Sequence, residues 1–156
     1  SNYMANVTGA EFRIKDKSKM FNISGTGAIS QQYQSTGDVF GHSYEISAGK
    51  DGGTWQYEYE HEEYSHTYDP NDLGYLAHNN YQEDELSFSY NLFKPYWRIW
   101  NMQSEVFVSY NRLQHPNTFT GINWGYNMNV LFDTRFFILF NSSFSPMGFK
   151  VFLSPG

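Results

Sequence analysis

Ile122-Asn123-Trp124-Gly125-Tyr126-Asn127-Met128-Asn129-Val130-Leu131-Phe132 is the stretch that decides the fold. Its even positions, Ile122, Trp124, Tyr126, Met128, Val130 and Phe132, are large and apolar. Its odd positions, Asn123, Gly125, Asn127, Asn129 and Leu131, are small or uncharged. Strand side chains alternate between two faces with period 2, so this segment carries one apolar-aromatic face and one polar face without charge. The wet face of a soluble sheet is usually rich in Lys, Glu and Thr. A transmembrane barrel strand sets an apolar face toward lipid and a polar face toward the lumen. The expected architecture is therefore all-β, an antiparallel up-and-down meander of about eight strands, forming an outer-membrane β-barrel or a segment of one.

The same alternation extends along the chain. Strands are expected at about Asn6 to Ile14, Lys19 to Gln31, His42 to Gly49, Thr54 to Tyr64, Gln82 to Phe93, Arg98 to Asn111, Thr118 to Phe132 and Phe136 to Ser145. In the fourth, Trp55, Tyr57 and Tyr59 alternate with Gln56, Glu58 and Glu60; in the fifth, Leu86, Phe88, Tyr90 and Leu92 alternate with Ser87, Ser89 and Asn91. Asp51-Gly52-Gly53 is a hairpin signal, because glycine supplies the positive φ a tight turn needs. Connections are expected to alternate short and long, beginning and ending with short ones, as periplasmic turns and outer loops do. With short turns periplasmic, the eighth strand would end outside. The chain, residues 1–156, therefore reads as a single barrel domain that is an internal segment of a larger barrel. Two features of the sequence agree: Phe149 to Gly156 lacks a terminal aromatic, and Ser1 to Ala5 has no features of a secretory signal.

Composition fits this reading. Of 156 residues, 20% are aromatic, with 14 Phe, 13 Tyr and 4 Trp, as expected where girdles sit at two membrane interfaces. Mean hydropathy is -0.60, which alone suggests a soluble chain, but half of every barrel strand is polar. No apolar run reaches the roughly 18 residues of a membrane helix. There is no cysteine, so disulfides and zinc-thiolate sites are excluded, and the net charge of -6 argues against nucleic acid. From Leu86 to Phe132 the charged residues are Lys94, Arg98, Glu105 and Arg112, and only Glu105 falls in mid-strand. It lies on the polar face with Asn101 and Gln103. On a lipid face a charge would cost about 2 to 4 kcal/mol.

Candidate ligand positions are few. Glu58, Glu60 and Glu62 share one face of the fourth strand, and with Glu105 they read as carboxylates of a lumen wall, paired with Lys or Arg of neighbouring strands. A glycosidase pair is the sharper alternative, but nothing else in the sequence supports it, and no enzyme activity is expected. His61, Glu63, His66, Asp69 and Asp72 gather by sequence at the head of the longest connection, Ser65 to about Asn79. Their spacing matches neither His-Glu-x-x-His nor an EF-hand, so a solvated acidic loop with no metal is expected. Tyr96, Trp97 and Trp100 read as an interfacial belt. Asn6-Val7-Thr8, Asn22-Ile23-Ser24 and Asn141-Ser142-Ser143 match the glycosylation triplet by chance. No cofactor is expected.

The loop motif Asp69-Pro70-Asn71-Asp72-Leu73-Gly74, preceded by Tyr68 and followed by Tyr75-Leu76 and Asn79-Asn80, resembles an uncharacterised family of bacterial outer-membrane proteins. Gly9, Gly25, Ser47-Ala48-Gly49 and Trp55 are similar in style to that family. Its members carry an N-terminal domain similar to carbohydrate-binding module family 9 ahead of a C-terminal barrel. The resemblance implies that this chain is barrel wall in a Gram-negative outer membrane, serving transport or anchoring, with a link to glycan handling. It carries over neither sugar-binding nor catalytic residues. Implied partners are outer-membrane lipid, the remaining strands or another copy, and a glycan or small solute. A soluble lipocalin-like eight-stranded barrel around a small apolar ligand is the alternative.

Overall fold

The computed structural model describes residues 4–33, 37–70 and 78–146. Eight strands follow one another: β1 (Met4–Lys15), β2 (Phe21–Tyr33), β3 (Val39–Lys50), β4 (Trp55–Tyr64), β5 (Tyr81–Leu92), β6 (Ile99–Leu113), β7 (Thr118–Phe132) and β8 (Phe137–Phe144). Each pairs antiparallel with its neighbours in chain order, giving one meander sheet. Among the described residues β1 and β8 are not paired with each other, so the sheet is open.

Register carries the alternation of each strand onto common faces. Ile14, Ile23, Ala48, Tyr59, Leu86, Val108, Trp124 and Phe144 form one continuous cross-strand row. The other face holds Arg13, Ser24, Ser47, Glu60, Glu85, Ser109 and Asn123 in one row. The polar face is the enclosed one. Ser30, Ser47, Asn91 and Ser109 are buried, whereas Phe12, Ile23, Trp55, Leu86, Phe88 and Trp124 are exposed. Among the described residues the buried apolar side chains are Tyr68 and Val130, so the fold is held by its ladder and not by an apolar core.

Turn chemistry matches the sequence. In the β1–β2 turn the Asp16 carboxylate accepts the N–H groups of Ser18 (3.0 Å), Met20 (2.9 Å) and Phe21 (2.9 Å) as well as the Ser18 hydroxyl. Lys19 takes φ 56 beneath it. Gly53 takes φ 83 in the β3–β4 turn, as Asp51-Gly52-Gly53 implies. The β6–β7 ladder is irregular at Trp100 of β6, between Ile99 and Asn101, and at its far end at Thr120 of β7, opposite Asn111 and Arg112. The second brings Phe119 to the side of Tyr110, their rings 5.2 Å apart.

The expected alternation of loop lengths does not hold. Only the β4–β5 connection, residues 65–80, is long. The β2–β3 and β6–β7 links are as short as the turns at the opposite end, because β2 continues to Tyr33 and β6 to Leu113. Ladder hydrogen bonds there take up residues that composition alone assigns to loops.

Candidate functional site

The predicted carboxylates come together with more of their kind. Glu58, Glu60 and Glu62 lie on the enclosed face of β4. Glu60 stands opposite Glu85, and Glu62 stands between Glu45 on β3 and Glu83 on β5. Glu105 on β6 lies within reach of Ser89 (3.4 Å) and Asn127 (3.3 Å) on the same face. The expectation that Lys or Arg of adjacent strands pairs with the β4 carboxylates is corrected. Their cross-strand partners are glutamates, serines or Gly49, and no ion pair joins Glu58, Glu60 or Glu62 to a cation among the described residues. Glu62 instead accepts the Tyr81 hydroxyl at 2.7 Å. Tyr81 stacks on Tyr64 at 4.9 Å, and Tyr64 meets Tyr68 at 5.7 Å. Cations enter this face from β1: Lys15 pairs with Asp51 at 2.7 Å, and Arg13 lies one row away. Lys15, with help from Asn22, holds the Asp51 carboxyl below its ordinary range.

The head of the long connection is ordered against the sheet. Ser65 N–H donates to the His42 carbonyl and His42 N–H to the Ser65 hydroxyl, both at 2.9 Å. Asp69 N–H donates to Ser30 at 3.1 Å, and its carboxylate accepts from Gln32 at 3.1 Å. Tyr68 packs on Gly41, where any Cβ would overlap the Tyr68 backbone. Of the loop motif, Asp69 is therefore seated over the enclosed face, Pro70 follows it in the chain, and Asn71, Asp72, Leu73 and Gly74 lie outside the described residues. His66 meets His115 of the β6–β7 turn with ring centres 4.9 Å apart.

His61 and Glu63, inside the fourth strand as expected from the sequence, lie on the apolar face of β4 and not in a solvated acidic loop. They anchor a polar network that sequence reasoning missed. Glu63, 7% exposed, accepts from His42 (2.9 Å), the Tyr44 hydroxyl (3.1 Å) and Gln82. Asp84 accepts from the Tyr59 hydroxyl (2.7 Å) and Arg112 (3.3 Å) and bonds His61 Nδ1 (2.7 Å). The signal was parity: His42, Tyr44, His61, Glu63, Gln82, Asp84 and Arg112 all continue the apolar positions of β3 to β6. The network closes the apolar face at its long-connection end. Among the described residues no group of 3 or more His, Cys, Asp or Glu side chains could hold a metal ion.

Tyr96 and Trp97 sit in the β5–β6 turn, 74% and 80% exposed, with Trp100 beside them at 60%. The family pattern described as Domain of unknown function (DUF5916) matches residues 1–155, and the chain belongs to that family. No curated protein and no solved structure matches it.

Proposed function

We propose that this member of the DUF5916 family is wall of a bacterial outer-membrane β-barrel, with the apolar face against lipid and the polar face toward a lumen. The observation that carries the reading is the inverted burial. Large apolar side chains are exposed on all eight strands while serine, asparagine and glutamate side chains occupy the enclosed side. Keeping a large apolar side chain in water forgoes roughly 1.5 to 3 kcal/mol, and soluble monomers seldom expose apolar patches beyond a few hundred Å². Lipid removes that cost. The aromatics also cluster toward both ends of the strands: Tyr96, Trp97, Trp100 and Phe136 at one, Tyr33, Phe40, Tyr110 and Phe119 at the other. Such belts suit the two headgroup regions.

The open edges β1 and β8 fit the same reading, because unpaired strand edges are not tolerated in lipid. Each is completed by further strands or by another copy. The wall then serves transport of a small solute or anchors a companion domain. The resemblance to outer-membrane proteins with a domain similar to carbohydrate-binding module family 9 links that service to glycans. The lumen side contributes Glu58, Glu60, Glu62 and Glu105, and no step of covalent chemistry is assigned to them.

Fractionation tests this reading. Outer membranes washed with urea and carbonate are expected to retain the protein. Release into the soluble fraction would overturn the bilayer reading and favour the lipocalin-like barrel around an apolar ligand.

A further inference from the structure

The enclosed face separates its charges around a cavity of about 330 Å³ between β1 and β4. Arg13, Ser24, Ser47 and Glu60 form one cross-strand row, in that order. Arg13 and Glu60 are thus three strand spacings apart, about 14 Å between Cα atoms. Two serines make the floor between them, tied to each other by a 2.8 Å hydrogen bond. Glu45 and Glu58 reinforce the acidic side of the cavity. Lys15 is engaged by Asp51. Arg13 makes no ion pair among the described residues, and neither does Glu45, Glu58 or Glu60.

From this we infer that the cavity is a subsite for a small zwitterion, its carboxylate on Arg13 and its ammonium group on Glu58 and Glu60. The inference names the solute class of the proposed lumen and rests on that reading. Charge bookkeeping selects the class. A simple anion on Arg13 would face three carboxylates across a short floor. A simple cation would leave Arg13 without a counter-charge in the same open cavity. A neutral polyol would displace water from both signs of charge and compensate neither. A molecule with both charges gives Arg13 a counter-charge and brings one cation to the three carboxylates, and guanidinium gives its carboxylate two parallel hydrogen bonds. The serine hydroxyls, donors and acceptors alike, accept a peptide or amide linkage lying over the floor.

The test titrates the full chain in detergent micelles with glycylglycine and, separately, with the neutral polyol erythritol, and reads binding by saturation transfer from protein to ligand protons. Glycylglycine is expected to bind and erythritol not. Arg13→Gln and Glu58→Gln with Glu60→Gln are each expected to weaken glycylglycine by about tenfold. An unchanged far-ultraviolet circular dichroism spectrum shows that each variant keeps its strands. Equal signals for the two ligands, or charge variants that bind like the parent protein, would overturn the subsite. Partition into detergent is read independently. A protein that stays soluble without detergent yet binds glycylglycine in this charge-dependent way keeps the subsite and removes only the bilayer.

Discussion

Glu60 on β4 and Glu85 on β5 face each other directly across the ladder, with Glu62 and Glu83 repeating the arrangement one step along the strands. Like charges opposed across a pair of strands destabilise a sheet. A fold that keeps two such pairs side by side carries a local electrostatic penalty that a neutral wall would not. On the proposed lumen wall, that penalty is the cost of a field that draws positively charged groups toward β4 and β5.

Glu85→Gln is therefore expected to stabilise the protein by about 0.5 kcal/mol, since it removes one opposed pair and keeps the side chain's size. Urea unfolding in detergent measures it. Equal or lower stability would mean that a cation already neutralises the pair.

Asp84 holds the apolar-face network together, accepting from Tyr59 and Arg112 and bonding His61. Asp84→Ala leaves the Arg112 guanidinium without its counter-charge and is expected to cost about 2 kcal/mol. Asp84→Leu with Arg112→Met extends the apolar face and is expected to recover most of that loss. Urea unfolding of the single and double variants checks both, and a single variant of unchanged stability would show the network to be ornamental.

Gly41→Ala puts a Cβ into the backbone of Tyr68. The segment 65–70 is then expected to leave the sheet, and limited proteolysis to cut there many times faster than in the parent chain. Unchanged cleavage would mean that the segment has another seat.

The Asp16 carboxyl is pulled down to about 2, first by the Ser18 hydroxyl and then by the Phe21 N–H. A carboxyl depressed in the folded state stabilises it above the unfolded value near 3.9 and loses that contribution as pH falls toward 2. The protection of the Met20 and Phe21 amides, exchange taken relative to the intrinsic rate at each pH, is expected to fall across that window. In Asp16→Asn that protection is expected to be lower at neutral pH and to lose this step.

All eight strands were legible in the chain because each alternates, and because Asp51-Gly52-Gly53 announces a tight turn. The placement of Glu58, Glu60, Glu62 and Glu105 on the polar face was legible for the same reason. What surrounds them was not. Glu45, Glu83 and Glu85 join the β4 carboxylates only through register, which depends on where each turn begins, and a shift of one residue would exchange the faces. His61 and Glu63 fall inside the expected fourth strand, but their polarity reads with the acidic cluster at the head of the connection. Their parity with Trp55, Tyr57 and Tyr59 places them on the apolar face, and only the partners from β3, β5 and β6 explain how that face tolerates them. Loop lengths were misjudged for a related reason: the ladder continues through Gln31 to Tyr33 and Arg112 to Leu113, where side chains alone give no sign of pairing.

The most direct test of the central claim asks which face touches hydrocarbon. The four tryptophans are reduced to one by phenylalanine substitution, keeping Trp124 on the apolar face in one variant and carrying Asn127→Trp with Trp124→Phe in the other. Both are reconstituted in bilayers of phosphatidylcholine with brominated acyl chains. The account predicts strong quenching of Trp124 and little quenching at position 127. Quenching at 127 with Trp124 untouched, or no quenching of either, would contradict it.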